Sequence, residues 1–383
     1  MQRLEFLQSL LATTTVTPLA APYPRTPILQ QLTIAVNVPL SGSLAGYGRQ
    51  IVQGVQAAID ETNKYNATLT RAYGIRTFDD QNSGAIATSN VLVAAADPSI
   101  VGAIGDLSLD VTMTALPQYS NSGFALVVPC VTADKLTQQG YHNVFRLPAN
   151  DSAEGRLFAS AVLHGRASMN VLGVMVDGDY GTDVTRAFVA QAKSDKHNAE
   201  MLTLESNADV PDSSAIIARH KPAYIFFAGR PDKLGPIAVA LRTGGYTGAL
   251  GFADSFFTAD VPKVYGKALS GALVASSMPP LERVPSAVAY LGDFRAEVGA
   301  PTAFSAYGYA AAQLIIQASQ RANAINRYQV LEQLQQGGSY SLLVGLYSFN
   351  YAGDATLPNV YLFTLGDGGF TFSKPAFANG FVA

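Results

Sequence analysis

The sequence predicts an α/β protein made of two doubly wound parallel-sheet lobes joined by a three-strand hinge. The chain has 383 residues, and since a typical domain has roughly 100 to 200, we expect two lobes with a core each. Short apolar runs alternate with amphipathic segments, which is typical of βα units whose strands are buried on both faces of a parallel sheet. The alternation stops and restarts once, which indicates passage from one lobe to another.

The first lobe opens with a strand pattern at 32–38. A helical pattern follows, in which Ile51, Val55, Ala58 and Ile59 recur at i, i+4, i+7 and i+8. Further strand and helix patterns then alternate at 74–78, 85–96, 100–104, 111–119 and 124–128. Together these segments predict a parallel sheet with helices on both faces.

A second lobe of similar build follows residues 146–150. Its helix and strand patterns alternate at 157–163, 171–176, 184–192, 201–204, 216–217, 224–227, 234–241, 250–253 and 271–275. Helical patterns return after 277–280, and alternating aromatic residues in the tail from Tyr340 predict a final antiparallel strand group. With a third crossing near 348–354, we expect lobe 1 to comprise 28–148 and 279–347, and lobe 2 to comprise 149–278 and 348–383.

Residues 1–27 have the layout of an export signal and leader. Arg3 precedes an interrupted apolar stretch, and the small residues Ala20 and Ala21 precede Pro22. The stretch is too short to span a bilayer, and a disordered or helical tail is the alternative. No cysteine stands directly after the apolar stretch, so a lipid anchor of the bacterial lipoprotein type is not expected. We therefore expect a freely diffusing periplasmic protein.

Composition argues against several function classes. The net charge is −3 with scattered basic residues, which does not favour nucleic acid as a partner. Cys130 is the only cysteine, so an internal disulfide and a cysteine metal cluster are excluded. The four histidines lack metal-pair spacing, and no nucleophile elbow, dinucleotide-binding glycine motif or phosphate-binding lysine motif occurs. We therefore expect no enzyme activity, no metal and no cofactor.

The chain from residue 32 onward resembles the leucine/isoleucine/valine-binding protein family, the type I periplasmic receptors of branched-chain amino acid ABC transporters. The resemblance begins with Pro39-Leu40-Ser41-Gly42, then Gly46-Tyr47-Gly48 and the helix after it. It continues at the expected separations with Asp79-Asp80, 101–105, Pro129 with Thr132, Leu136-Thr137, 141–146, Asp179-Tyr180-Gly181 and Gly244 with Tyr246. The order and spacing of these pieces make the resemblance specific.

The resemblance implies a monomeric receptor that closes its lobes around a small molecule. The ligand would be an amino acid or a related small carboxylate or amide, delivered to an ABC transporter permease in the inner membrane. The alternative is a ligand-sensing regulator of the same fold that signals to a protein partner. Genes for a permease beside this one, rather than for a kinase, would favour transport.

The resemblance also implies which residues hold the charged ends of the ligand. The Thr132 hydroxyl and the backbone at Cys130 would bind them from lobe 1, and such groups complement carboxylate and ammonium. Asp254 would neutralise a ligand ammonium from lobe 2, since a carboxylate in a cleft needs a cation. The alternatives are that Thr132 caps the next helical turn, and that Asp254 is an exposed cap of a helix starting near Ser255.

Aromatic residues are expected against the rest of the ligand. Tyr47 and Tyr180 lie at loop positions where the resemblance implies one aromatic contact from each lobe, and tyrosine adds one directed hydrogen bond to its apolar area. Loop packing is the alternative for both. Phe304 and Tyr307 are candidates for the side-chain pocket, with core packing at a helix start as the alternative.

The loop after Gly105 departs from the family pattern. The resemblance implies a carboxylate-binding serine four residues on, where this chain has Leu109. Ser108 would substitute if the loop were one residue shorter. The flanking residues Asp106 and Asp110 would repel a carboxylate if they pointed inward, which favours a ligand other than a standard amino acid.

Overall fold

The structure is a computed structural model that describes residues 30–65, 71–176, 180–205, 209–284, 287–297 and 299–376. The predicted leader, 1–27, lies outside the described residues. Among the helices within these ranges, none is both long enough and apolar enough to cross a membrane.

The chain first builds a five-stranded parallel sheet in the order β2-β1-β3-β4-β5. The elements, in chain order, are β1 Gln30–Val38, α1 Ala45–Tyr65, β2 Arg71–Asp79, α2 Gly84–Ala95, β3 Ile100–Gly105, α3 Leu109–Asn121, β4 Leu126–Val128 and β5 Val144–Arg146. The strand order reverses between β1 and β3, so the sheet is doubly wound and has a switch point at its carboxyl edge.

The chain then enters a second sheet. Its first elements are α4 Asp151–Leu163, β6 Asn170–Val176, α5 Thr182–Ser194, β7 Asn198–Leu204, α6 Val210–Arg219, β8 Tyr224–Phe227, α7 Pro231–Thr243, β9 Ala249–Phe252, α8 Val261–Tyr265 and β10 Leu273–Ser276. Strands β6 to β10 are parallel to one another. We call the five-stranded sheet and its helices lobe 1, and this second sheet and its helices lobe 2.

The remaining elements divide between the lobes. They are α9 Val288–Glu297, α10 Ala303–Arg321, α11 Arg327–Gln335, β11 Tyr340–Leu342, β12 Gly345–Tyr347, β13 Tyr361–Gly366 and β14 Gly369–Pro375. Helices α9 to α11 pack into the core of lobe 1. Strands β13 and β14 add to lobe 2 and run antiparallel, β13 beside β10. The predicted fold class is thereby confirmed, including the antiparallel end group.

Helix α10 lies directly on α1 because two glycines let their backbones meet. A Cβ at Gly54 would lie 1.9 Å from the carbonyl oxygen of Ser305, and a Cβ at Gly308 would lie 2.4 Å from that of Ile51. Such distances leave no room for a side chain. This close packing fixes the start of α10, which carries Phe304, against the start of α1, which carries Tyr47.

The hinge is tied by one buried arginine at the end of β5. Arg146 is fully buried, and its Nε donates to Oδ1 of Asp354 at 2.8 Å, while Nη2 donates to the same oxygen. Nη1 donates to the carbonyl oxygens of Thr132 and Ala133 at 2.8 and 2.6 Å, and Nη2 also donates to Oγ1 of Thr137 at 2.9 Å. Arg146 therefore joins the first crossing, the third crossing and the loop after β4.

Candidate ligand-binding site

A cavity of about 320 Å³ lies between the lobes, and we call it the cleft cavity. Lobe 1 contributes the starts of α1 and α10 and the loop after β4, while lobe 2 contributes the segments after β6 and β9. Its lining residues are Tyr47, Pro129, Cys130, Thr132, Pro148, Tyr180, Asp254, Ser255, Phe257, Thr258, Ser276, Ser277, Met278, Ala303, Phe304 and Tyr307. It thus lies where the carboxyl ends of the parallel strands face each other, the usual ligand position in open α/β sheets.

Six of the eight sequence-predicted contacts line this cavity: Tyr47, Cys130, Thr132, Tyr180, Asp254 and Phe304. Ser108 and Leu109 are not among the lining residues. The Ser108 hydroxyl donates to Oδ1 of Asn82 at 2.8 Å, and Leu109 packs against the core cluster that contains α2 and α3. As contacts to a ligand, all eight residues stay predictions.

The lobe 1 wall of the cavity is aromatic. Tyr47 and Phe304 lie in the first turns of α1 and α10, and their ring centroids are 4.7 Å apart. Phe304 also packs against the lobe 1 core, as the alternative interpretation expects, while its contact with a ligand stays a prediction. Tyr307, one turn further along α10, lines the same wall. Phe257 and Tyr180 of lobe 2 also line the cavity.

The lobe 2 side carries a carboxyl group held by two neighbours. Asp254 begins a short 3-10 turn after β9, and the Tyr180 hydroxyl donates to its Oδ1 at 2.7 Å. The backbone N–H of Asp254 donates to Oε1 of Glu154 at 2.8 Å. Burial raises the pKa of Asp254, whereas the hydrogen bond from Tyr180 favours its ionised form. Asp254 is therefore a carboxyl group held in position in the cavity, not the exposed helix cap of the alternative interpretation.

Two further acids on α4 lie behind Asp254. Asp151 and Glu154 are 5% and 1% exposed. Burial raises the pKa of Asp151 to about 7, an effect that a hydrogen bond from the Thr132 hydroxyl reduces. Burial and the neighbouring Asp254 carboxylate raise the pKa of Glu154 well above its usual range. Asp151 and Glu154 thus favour their protonated forms beside the Asp254 carboxyl group, and a bound cation would favour the ionised form of all three.

Thr132 is not a helix cap. The short 3-10 turn Asp134–Thr137 has Ala133 at its N-cap and no side-chain cap hydrogen bond. The Thr132 hydroxyl instead donates a hydrogen bond to the Asp151 side chain. The carbonyl oxygen of Thr132 accepts a hydrogen bond from Arg146. The capping alternative for Thr132 is therefore wrong, and the residue connects the cavity wall to the acids on α4.

The residues that the sequence analysis did not assign to the site include the acids Asp151 and Glu154 and the lining residue Ser277. The first two occupy the first turn of α4 after the N-cap Asn150, a position where acids are common because they complement the helix dipole. The side-chain oxygen of Ser277 is buried and has no hydrogen-bond partner among the described residues. Nothing in the sequence marks a serine in a crossing segment as a residue that lines a cavity.

Cys130, the cysteine among the described lining residues, is not an activated nucleophile. Burial raises the pKa of the Cys130 thiol, which disfavours the nucleophilic thiolate. Within the described ranges, no group of three or more His, Cys, Asp and Glu residues is arranged to hold a metal ion. The arrangement can bind a small molecule through one anion, several hydroxyls and an aromatic wall.

Comparisons with known proteins agree with this architecture. Leu/Ile/Val-binding protein homolog 1 of Brucella melitensis is 24% identical over 333 residues, covering 86% of this chain and 89% of that protein. A leucine-binding protein from Thermotoga maritima has a similar fold, with a TM-score of 0.76 at 19% identity, covering 91% of this chain and 99% of that one. A benzoate complex of a solute-binding protein from R. palustris gives a TM-score of 0.71 at 19% identity, covering 91% and 96%.

These structural likenesses establish the fold, and their ligands differ, so the fold alone does not name a ligand. The sequence match goes further. The model of the periplasmic binding protein family matches residues 31–369, which include both lobes and all three crossings. The chain therefore belongs to the periplasmic binding protein family.

Proposed function

We propose that this protein is the extracytoplasmic solute-binding receptor of an ABC transporter, and that it closes its two lobes around a small ligand. One observation carries the proposal: the cleft cavity is lined from both lobes, with Tyr47, Thr132 and Phe304 on one side and Tyr180 and Asp254 on the other. A ligand that touches both walls stabilises the closed arrangement in proportion to its preference for it.

The cavity suits a small molecule that carries an amine. Its volume of about 320 Å³ is at the lower end of ordinary ligand pockets. Asp254 offers a carboxylate to an ammonium group, and Tyr47 and Phe304 offer apolar area to the rest of the ligand. Relatives named as Leu/Ile/Val-binding proteins support an amino acid or a related small carboxylate or amide.

The partner and the location follow from the receptor role. A receptor of this kind delivers its cargo to a permease in the inner membrane, so the protein would act in the periplasm as a monomer. We assign no reaction to the site, because its described residues do not place an activated nucleophile beside a positioned base.

Thermal unfolding of purified, ligand-stripped protein tests the proposal. The panel contains the standard amino acids, aromatic acids, short amides and urea. A ligand at 100 times its Kd should stabilise the protein by about 2.7 kcal/mol, which gives a clear rise in Tm. Small-angle scattering should then show lobe closure with the same compound.

Two results would contradict parts of the proposal. If no compound of the panel raises Tm or closes the lobes, a receptor for such small solutes is excluded. If a ligand binds but a strain lacking this protein takes that ligand up normally, the transport role fails and a sensor that signals to a protein partner replaces it.

A further inference from the structure

The charged side chains described in and directly behind the cleft cavity are all acidic. Asp254 lines it, and Glu154 and Asp151 lie buried behind Asp254. No lysine, arginine or histidine is among the described residues that line it. A buried carboxylate is costly without a cation, so the site lacks a positive charge that a ligand can bring.

Arg146, a buried arginine that bonds the loop after β4, is not free to bind a ligand carboxylate. Arg146 directs its donors to Asp354, to the hydroxyl of Thr137 and to the carbonyl oxygens of Thr132 and Ala133. A guanidinium has five N–H donors in a fixed fork, and these acceptors surround it. Arg146 therefore shapes the loop that lines the cavity without offering charge to its interior.

Several hydroxyl groups in the lining are also committed within the protein. The Thr132 hydroxyl donates a hydrogen bond to the Asp151 side chain. The Ser255 hydroxyl donates to the carbonyl oxygen of Gly229 at 2.8 Å, and that of Ser276 donates to the carbonyl oxygen of Met278 at 3.3 Å. Ser277 and Tyr307 differ, since the buried hydroxyl oxygen of each has no hydrogen-bond partner in the described part of the chain.

Two helix N-termini near the cavity, those of α10 and α4, each have one amide bonded by a side-chain cap. The side chain of Thr302 accepts from the Ser305 backbone N–H at the start of α10. The side chain of Asn150 accepts from the Ala153 backbone N–H at the start of α4. These caps use amides that a ligand carboxylate would otherwise bind.

We propose that the cleft selects a cationic ligand, namely a primary amine whose second polar group is uncharged, such as an amino acid amide, in preference to the zwitterionic amino acid. The ammonium pairs with Asp254, and the uncharged group reaches Ser277. The apolar part lies against Tyr47 and Phe304. This inference rests on the proposed receptor function and narrows its ligand class.

Isothermal titration calorimetry with matched ligand pairs tests this inference. Ligand-stripped protein is titrated at pH 6.5 with L-leucine and L-leucinamide, and with L-phenylalanine and L-phenylalaninamide. Both members of each pair have the same side chain and a protonated amine at this pH. We expect the amide of at least one pair to bind about tenfold tighter or more than its acid, since only the acid brings a carboxylate into a cavity whose described lining residues include no cationic side chain.

A Ser277→Ala variant adds a second measurement. It removes one of the two buried hydroxyls of the lining that have no partner among the described residues, so we expect amide affinity to fall several-fold while acid affinity changes little. Its thermal unfolding without ligand shows whether the variant is folded. Equal losses for amide and acid would overturn the role of Ser277 as the site of the uncharged group.

The outcomes separate the inference from the receptor proposal. An acid that binds as tightly as its amide, or tighter, overturns the cation preference and leaves the receptor role intact. The same conclusion follows if only benzoate or another amine-free acid binds. If none of the four probes binds, the inference is overturned, and the receptor proposal falls with it only if the wider panel also fails.

Discussion

The hydroxyl of Tyr180 donates a 2.7 Å hydrogen bond to Oδ1 of Asp254, which couples the loops after β6 and β9 inside the cleft. Burial raises the pKa of Asp254, and the Tyr180 hydroxyl opposes that rise because it binds the ionised carboxylate. The tyrosine thus contributes to charge in the site as well as to the aromatic wall.

Tyr180→Phe should therefore weaken an amine ligand while leaving the ring in place. We expect affinity at pH 7 to fall about tenfold, as for the loss of one hydrogen bond to a charged group. Calorimetry with the tightest ligand of the panel measures the change. Tyr246→Phe is the matched control, since that hydroxyl bonds the carbonyl oxygen of Ala249 outside the cavity. Unchanged affinity in a folded Tyr180→Phe protein would exclude this role.

Asp254→Asn should have a larger effect. The substitution keeps the shape of the side chain and removes its charge, so an amine ligand should lose about 2 to 4 kcal/mol of binding free energy. The exposed residue Asp110, in the first turn of α3, provides the control variant Asp110→Asn.

Stability separates lost binding from misfolding in this experiment. Because Asp254 repels Glu154 and Asp151, the ligand-free Asp254→Asn protein should be at least as stable as the wild type. An unchanged Kd would remove Asp254 from the ligand site.

The fold could be predicted because the spacing of apolar residues along the chain indicates which faces of the strands and helices are buried. Apolar runs such as 32–38 mark strands covered on both faces, and the restart after 146–150 marks the change of lobe. The order of motifs then placed Tyr47, Cys130 and Thr132 in one cavity, since loops at the carboxyl ends of parallel strands converge there.

The remaining features depend on three-dimensional context. Ser108 is the N-cap residue of α3, and its hydroxyl donates to the side chain of Asn82. The length of the loop does not predict this hydrogen bond. Asp151 and Glu154 resemble ordinary acids in a first helical turn. Only the packing of α4 beneath the β9 loop brings them to Asp254, and sequence spacing does not encode that contact.

Asp354→Asn should destabilise the protein through the hinge. Arg146 is fully buried, and its ion-pair partner Asp354 has 19% of its side chain exposed. Removing the anion leaves a buried guanidinium with reduced compensation, which costs about 3 kcal/mol of unfolding free energy. Urea unfolding at pH 7 measures this.

The matched control for the hinge is Arg186→Gln. It breaks an exposed pair with Asp183 one helical turn away, for which we expect a change below about 1 kcal/mol. A similarly small change for Asp354→Asn would mean that the hydroxyl and carbonyl partners of Arg146 suffice to hold it.

A second buried acid pair, in lobe 1, should make ligand-free stability depend on pH. Asp80 and Asp106 follow β2 and β3 and are fully buried. Burial and the neighbouring Asp79 raise the pKa of Asp80 to about 6, and burial together with Asp80 raises the pKa of Asp106 well above its usual range. Tyr119 donates to Asp106 at 3.2 Å.

The sign follows from proton binding. Between about pH 4 and pH 6 the folded protein holds a proton on Asp80 that the unfolded chain has released, so the free energy of unfolding falls as pH rises. The unfavourable contribution of Asp80 is absent below this window and complete above it. Asp80→Asn removes the contribution and keeps an Oδ1 that can accept from the Asn82 backbone N–H, as Asp80 does at 2.7 Å.

We therefore expect Asp80→Asn to gain about 1 to 2 kcal/mol relative to the wild type at pH 7.5 compared with pH 4.5. Urea unfolding at the two pH values measures this difference, and the exposed Asp110→Asn should show no such gain. If Asp80→Asn changed stability equally at both pH values, the effect would come from altered packing or hydrogen bonding, because only ionisation of the carboxyl group can make the difference grow with pH.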